Sequence, residues 1–231
     1  MRMPSKTPSS PSSAQTFLSL FLVVSKTLFI FAPSLVSSFV GGGRPFAMNE
    51  QSNDIMQELA LLHTLSGADF SRQVEKIAQR AEFYPLERES GIYVCGGEMQ
   101  EDYDNLVKAA RKAVAHSYEV YILPNPGNIR TADFILVRKG TYRLYDLKTI
   151  QGKNSALNRL VESIGQSNRI LLNITTNYNP SSLARCIKRY FEYNKNALEV
   201  LVFKAGKSIS VSRELSQSRA FYRIFMKKYT K

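Results

Sequence analysis

DFILVRKGTYRLYDLKT, residues 133–149, is a segment that predicts a β-hairpin. An apolar run and an alternating polar and apolar run flank a turn sequence at residues 138–140. Side chains two residues apart on a strand point to the same face of a sheet, so Asp146 and Lys148 are expected to share a face. The hairpin also places Asp133 on the strand next to Asp146.

Two aspartates and a lysine on one face suit phosphodiester cleavage. A Mg²⁺ ion, or another divalent cation, that is held by two carboxylates activates water near neutral pH and neutralises charge on the transition state. Asp133 and Asp146 are therefore candidate metal ligands. Lys148 is a candidate to orient or deprotonate the attacking water, or to stabilise negative charge. A partly buried Asp–Lys ion pair at a strand end is the structural alternative.

The pattern of elements predicts an α/β fold. Residues 101–174 are expected to form helix, strand, strand, strand, helix and strand, which gives a central mixed sheet flanked by helices. We place this domain at residues 99–231 and expect an N-terminal helical subdomain at residues 48–98, with a strand over residues 83–95. The helix expected at residues 157–166 carries Gln166 on its polar face. One terminal helix is expected at residues 214–229.

Residues 1–47 are expected to lie outside this fold. Residues 1–16 are rich in Ser, Pro and Thr, a composition typical of disorder. Residues 17–40 are apolar but contain Lys26. The segment is interpreted as an export signal, a membrane anchor, or part of an over-extended gene model whose true start is Met48.

The net charge of +12 is concentrated in the C-terminal half of the chain. Residues 123–231 hold 20 basic and 6 acidic residues, a charge of +14. Such a charge attracts polyanions, of which nucleic acid is the usual one, although a solvated basic surface is the alternative. Two Cys and two His residues are too few for a disulfide framework or a His-based zinc site.

Six polar residues are candidates for contact with a nucleic-acid backbone. Two lie in the loop after the hairpin, one lies on the following helix, and three lie on a helix expected at residues 183–193. They are Lys153, Ser155, Arg159, Arg185, Lys188 and Arg189.

The arrangement resembles the PD-(D/E)XK nuclease superfamily over about residues 100–175. More narrowly, it is similar to the CdiA C-terminal tRNA nuclease domain of contact-dependent inhibition toxins. The similarity is carried by four matches: YILP at 121–124, TADF at 131–134, YDLKT at 145–149, and Gln166 before RILL at 169–172.

This resemblance implies Mg²⁺-dependent cleavage of RNA, with tRNA as the specific substrate. By the same resemblance Asp133 and Asp146 bind the metal, Lys148 is catalytic and Gln166 supports the site. The implied partner is an immunity protein, and the implied site of action is the cytoplasm.

The family's acid on the first helix is ambiguous in this chain, because Glu101 and Asp104 lie one turn apart; Asp104 is preferred. Ala132 departs from the pattern, since it stands where the superfamily motif has Pro.

Three other functions fit the same sequence. They are a non-catalytic nucleic-acid-binding protein, a DNA endonuclease of a mobile element, and, if residues 17–40 are genuine, a membrane-tethered interaction protein. Backbone cleavage needs no base readout, so these motifs do not separate RNA from DNA.

Overall fold

The computed structural model describes residues 50–96, 102–125, 131–152 and 156–230. Within these ranges the chain forms a mixed α/β fold in which helices flank an eight-stranded sheet, and this confirms the expected fold class. The helices are α1 (Glu50–Leu61), α2 (Gly67–Ala78), α3 (Tyr103–Ala115), α4 (Ala156–Glu162), α5 (Pro180–Tyr193), α6 (Arg213–Gln217) and α7 (Phe221–Thr230), with a 3₁₀ turn at Leu62–Thr64. The strands are β1 (Phe83–Pro85), β2 (Ile92–Cys95), β3 (Glu119–Ile122), β4 (Phe134–Arg138), β5 (Thr141–Ile150), β6 (Arg169–Ile174), β7 (Glu199–Lys204) and β8 (Lys207–Ser212).

The strands lie side by side in chain order, from β1 to β8. Three neighbouring pairs are parallel (β2 with β3, β5 with β6, β6 with β7), and the other four pairs are antiparallel. Strands β1 and β2 come from residues 48–98, the segment expected to form a helical subdomain. They belong to the same sheet as the later strands, because β2 pairs directly with β3.

The predicted β-hairpin is β4 and β5. Arg138 pairs with Thr141, so Lys139 and Gly140 form a two-residue loop. Their φ angles are +52° and +70°. Positive φ at both central residues is the signature of the turn whose twist matches that of the flanking strands, and Gly adopts it without steric cost.

Strand β5 has helices on both of its faces. Leu144 packs in a core with α1 and α2, whereas Ile150, on the same face, packs in a core with α4, α5 and α7. Tyr145, on the opposite face, packs in the core that contains α3. Asp146 and Lys148 therefore lie between Leu144 and Ile150, where the two cores of one face meet.

The terminal helix expected at residues 214–229 is two helices, α6 and α7, so that prediction was wrong. Ser218 separates them. Its main-chain N–H and its hydroxyl both donate to the carbonyl oxygen of Leu215, at 3.1 and 2.8 Å. These bonds occupy a carbonyl of the last helical turn, and the chain begins a new helix at Phe221.

A buried carboxylate, Glu199, joins three strands on the face that α3 covers. The hydroxyls of Tyr145 and Ser210 donate to it at 2.8 and 2.5 Å. Arg143 and Arg169 lie 3.3 and 3.7 Å from the same side chain. A buried carboxylate is costly unless it is paired and hydrogen-bonded, and these neighbours provide both conditions.

We predict that Glu199→Ala lowers the free energy of unfolding by about 3 kcal/mol, because it leaves the buried Tyr145 hydroxyl and the partly buried Arg169 guanidinium without their acceptor. Urea unfolding followed by circular dichroism measures this change. Glu162→Ala is the matched control. Glu162 pairs with Arg159 at 3.0 Å, but both side chains are about half exposed, so its loss is expected to cost less than about 0.5 kcal/mol. Equal effects of the two variants would contradict the assignment.

Candidate active site

The β4–β5 pairing brings Asp133 and Asp146 opposite each other. The regular pairing ends at Phe134 and Tyr145, and Asp133 lies just before β4, where its N–H donates to the carbonyl of Tyr145 at 3.1 Å. The N–H of Leu147 then donates to Oδ2 of Asp133 at 2.6 Å. Phe134 and Tyr145 pack in the core of α3, so both aspartates point to the opposite face. Asp133 and Asp146 are called the carboxylate pair below.

Lys148 contacts Asp146, one member of the carboxylate pair, from the same face. Its Nζ lies 3.0 Å from Oδ1 and 2.9 Å from Oδ2 of Asp146. The same ammonium donates to Oε1 of Gln166 at 2.9 Å. The side chain of Asp146 is 2% exposed and that of Lys148 is 16% exposed, so this ion pair is largely withdrawn from water. The structure thus brings together four of the five candidate catalytic residues.

Gln166 reaches the site from a turn and not from a helix. The helix expected at residues 157–166 ends at Glu162, which corrects the predicted position of Gln166. The N–H of Gln166 donates to the carbonyl of Ser163 at 3.0 Å, and Gly165 has a φ angle of +90°. Gly tolerates this left-handed conformation, which ends the helical path and turns the Gln166 side chain towards Lys148.

Burial raises the pKa of both members of the carboxylate pair. For Asp133, the bond from Leu147 N–H and the charge of Lys148 oppose this rise. For Asp146, burial and then the charge of Asp133 raise the pKa to about 7, although Lys148 opposes them. Two buried carboxylates side by side disfavour double ionisation, so the pair tends to retain a proton in the absence of a further cation.

The carboxylate pair fits a hard divalent cation. Oδ2 of Asp146 is buried and accepts no hydrogen bond of acceptable geometry from the described residues, although Lys148 Nζ is close. Within residues 50–96, 102–125, 131–152 and 156–230, no cluster of three or more His, Cys, Asp or Glu side chains is arranged to hold a metal. Mg²⁺ is commonly bound by one or two carboxylates together with water and substrate phosphate, and two carboxylates meet that need.

The structure does not bring Asp104 to this site. Asp104 is exposed on α3, and its charge, after the stronger contribution of Glu89, raises the pKa of Arg111. The acid of this helix that acts on Asp133 is Asp102, which follows burial among the causes that raise the Asp133 pKa. Asp102 is the N-cap of α3. The sequence shows three neighbouring acids, Glu101, Asp102 and Asp104, but it does not show at which of them the helix begins.

The candidate nucleic-acid contacts divide into three groups. Lys153 and Ser155 lie outside the described residues. Arg159 is exposed on α4 and paired with Glu162. The remaining three, Arg185, Lys188 and Arg189, lie on α5, and we call them the α5 basic face. Arg185 and Arg189 are exposed, and Lys188 is half-buried.

Two aromatic rings accompany the α5 basic face. The guanidinium of Arg189 lies 5.7 Å from the ring centroid of Tyr193 and donates to its hydroxyl at 2.8 Å. Lys188 Nζ lies 5.9 Å from the ring centroid of Tyr222. Both rings are exposed, by 54% and 41%. The α5 basic face therefore combines positive charge with two exposed aromatic rings.

The apolar segment at residues 17–40 lies outside the described residues. Of the helices that the structure does describe, none combines the length and the apolar character that crossing a lipid bilayer requires.

We predict that the metal-free protein loses stability as the pH rises from 5 to 8. The folded-state pKa of Asp146, about 7, exceeds its ordinary value of 3.8. Its contribution to stability is therefore complete below pH 4 and is lost as the pH rises through 7. The expected loss from this group is about 2 kcal/mol, measured by urea unfolding in EDTA at both pH values.

Asp146→Asn is expected to remove most of this pH dependence, because the amide does not titrate. Asp69→Asn, which changes an exposed carboxylate on α2, is the control and is expected to behave as the wild type does. An Asp146→Asn protein that still showed the full wild-type loss would contradict the assignment to Asp146.

Comparison with known proteins gives little similarity in sequence. No family model matches the chain, and no curated protein matches it. A solved structure that matches is the CdiA-CT/CdiI toxin and immunity complex from Burkholderia pseudomallei. The two chains share 15% identity with a TM-score of 0.38, and the match covers 52% of this chain and 98% of that chain.

Proposed function

We propose that this protein is a metal-dependent nuclease that cleaves RNA, with Mg²⁺ or a similar divalent cation as its cofactor. One observation carries the proposal. Asp133, just before β4, lies beside Asp146 of β5, and Lys148 contacts Asp146 from the same face. Two neighbouring carboxylates and a lysine are groups that can catalyse hydrolysis of a phosphodiester.

The carboxylate pair would hold the cation, and Lys148 would act beside it. The cation supplies charge neutralisation on the phosphate and lowers the pKa of attacking water. Asp133 is half-buried whereas Asp146 is buried, so Asp133 is the more accessible member of the pair. Lys148, once its bond to Asp146 is relaxed, is placed to orient the attacking water or to stabilise negative charge on the phosphate.

Gln166 is proposed as a positioning residue. Its Oε1 accepts a hydrogen bond from Lys148 Nζ, and this bond restricts the ammonium to the side of the carboxylate pair. A flexible lysine that is held by a second acceptor loses less entropy when it engages the reacting groups.

A nucleic-acid substrate is supported by the distribution of charge. Residues 123–231, which contain the carboxylate pair, carry a net charge of +14. The α5 basic face provides side chains that suit phosphate groups, and Tyr193 and Tyr222 provide exposed rings that suit bases.

The choice of RNA, and of tRNA within RNA, rests on the sequence resemblance to the toxin tRNA nuclease domains. On the same ground we propose that the protein acts as a toxin in the cytoplasm, where tRNA resides, and that an immunity protein binds it.

A non-catalytic nucleic-acid-binding protein is the second candidate, and the burial of the ion pair favours it. Asp146 is almost inaccessible and both of its oxygens lie within 3.0 Å of Lys148 Nζ. A structural ion pair has this geometry as well. If the ion pair is only structural, the wild-type protein does not cleave RNA, and Asp146→Asn leaves RNA binding intact.

We predict that Asp146→Asn abolishes cleavage and that Lys148→Met lowers the rate by about 10²–10⁴-fold, because each removes a group acting on the transition state. The assay incubates purified protein with tRNA, total RNA and plasmid DNA, in Mg²⁺ and in EDTA. Glu162→Gln, an exposed carboxylate on α4, is the control and is expected to retain wild-type activity.

Wild-type protein that is inactive on every substrate would contradict the enzyme proposal. Cleavage of plasmid DNA without cleavage of RNA would support the DNA endonuclease alternative. Circular dichroism spectra that match the wild type show that a loss of activity is not a loss of folding.

We further predict that Arg185→Ala with Arg189→Ala weakens RNA binding and lowers the salt dependence of the binding constant. Each lost phosphate contact is expected to reduce the slope of log K against log salt concentration by about 0.7 for a single strand. Fluorescence anisotropy of labelled RNA in EDTA at several salt concentrations measures the slope. Arg88→Ala, an exposed arginine paired with Glu87 between β1 and β2, is the control. If the variant with both Arg185→Ala and Arg189→Ala keeps the wild-type salt dependence, RNA binds to another surface.

A further inference from the structure

Two arginines meet at one buried carboxylate on the sheet face that α3 covers, which is opposite to the face of the carboxylate pair. Arg143 of β5 lies 3.3 Å and Arg169 of β6 lies 3.7 Å from Oε2 of Glu199. Arg143 and Arg169 are called the arginine pair below. Because two positive charges meet one negative charge, this cluster has an excess of positive charge.

The carboxylate of Glu199 accepts hydrogen bonds from donors other than Arg169. Its Oε1 accepts from the Ser210 hydroxyl at 2.5 Å. Its Oε2 accepts from the Tyr145 hydroxyl at 2.8 Å and from Arg143 at 3.3 Å. The distance of 3.7 Å to Arg169 is that of an ion pair and is too long for a hydrogen bond. Glu199 therefore leaves the donors of Arg169 without an acceptor.

The Arg169 guanidinium has unused donors that solvent can reach. Its Nε is buried and has no hydrogen-bond partner among the described residues. The side chain as a whole is 22% exposed, so the Nη groups, which are not enclosed as Nε is, are the donors open to a ligand. Burial lowers the pKa of Arg169, and the nearby charge of Arg143 acts in the same direction. An acceptor with negative charge would offset both costs.

The arginine pair is open to solvent on the side of β8, the last strand of the sheet. Arg143 is 46% exposed, and Ser210 of β8, which bonds the same carboxylate, is exposed. The apolar core that α3 forms with this face includes residues of β6 and β7 but none of β8. A ligand can therefore approach the two guanidiniums without displacing a helix.

An exposed edge of the sheet joins the arginine pair to the α5 basic face. Helix α5 ends at Tyr193, and β7 begins six residues later at Glu199. The N–H of Leu198 donates to the carbonyl of Asn168 at 2.7 Å, so the segments that precede β6 and β7 are in contact. Tyr193 and Leu198 are 54% and 46% exposed, and Lys195 between them is exposed. Cations and exposed rings thus continue round this edge, which suits a polyanion with bases.

We infer that the arginine pair binds a backbone phosphate of a single RNA strand that passes round this edge from the α5 basic face. A phosphate offers several oxygens, so it can accept from both guanidiniums at once, and the planar fork of arginine matches it. The arginine pair lies behind the carboxylate pair, so this phosphate is not the scissile one and the contact contributes affinity. The inference rests on the proposed RNA substrate and adds the route of the strand across the protein.

Fluorescence anisotropy of a labelled single-stranded RNA, in EDTA and at several salt concentrations, tests this inference. Arg143→Gln removes one charge from the arginine pair and is expected to weaken binding about tenfold. The slope of log K against log salt concentration is expected to fall by about 0.7, the value for one phosphate contact on a single strand. Arg143→Lys is expected to keep the slope but to bind about threefold more weakly, because an ammonium lacks the planar fork.

Two controls separate phosphate binding from a general loss of charge or of structure. Arg72→Gln removes an exposed arginine that is paired with Asp69 on α2, and it is expected to bind RNA as the wild type does. Ser210→Ala removes a hydrogen bond to Glu199 but keeps the arginine pair, and wild-type binding is expected here as well. Circular dichroism establishes that each variant is folded under the conditions of the assay.

Arg143→Lys keeps a positive charge beside Glu199, so the test remains decisive if Arg143→Gln does not fold. Wild-type affinity in the folded Arg143 variants overturns the inference and leaves the proposed nuclease intact. An equal loss in Ser210→Ala also overturns it, because the effect then comes from the hydrogen bonds of Glu199. Inorganic phosphate that raises the Tm of the wild type but not of Arg143→Gln, with RNA binding unchanged, assigns the site to free phosphate and overturns the inference. Failure of the wild type to bind RNA overturns both proposals.

Discussion

Two carboxylates that are largely withdrawn from water, Asp133 just before β4 and Asp146 on β5, lie side by side, and their repulsion governs the rest of the site. Like charges at this separation repel, and burial removes the water that would screen them. Lys148 offsets part of this cost by contacting Asp146, and the N–H of Leu147 offsets another part by donating to Asp133. The remaining polar atom, Oδ2 of Asp146, is buried without a hydrogen bond from the described residues. A cation is the kind of group that would complete this arrangement.

The sheet explains why the two aspartates meet where they do. The β4–β5 ladder ends at the pair Phe134 and Tyr145, and the β5–β6 ladder begins one residue later, at the pair Asp146 and Ile170. Asp146 therefore lies where β5 stops pairing with β4 and starts pairing with β6. On this face the core of α1 and α2 ends and the core of α4, α5 and α7 begins, so a polar group is accommodated at the seam between two apolar cores.

Much of the fold was predictable from local patterns, because strand alternation and turn chemistry are local properties. The hairpin, the pairing of its two strands and the shared face of Asp146 and Lys148 followed from residues 133–149. The position of Gln166 was missed, since the left-handed Gly165 that ends α4 has no periodic signature. Asp102 was missed for another reason. Its effect on Asp133 depends on how distant segments pack together, which a single sequence does not specify.

Crystals grown with Mn²⁺ show whether the carboxylate pair holds a divalent cation. We expect an anomalous difference peak in contact with carboxylate oxygens of both Asp133 and Asp146, with Lys148 Nζ withdrawn from Asp146. A map without a peak at this position, with Lys148 still bridging both oxygens of Asp146, would contradict it.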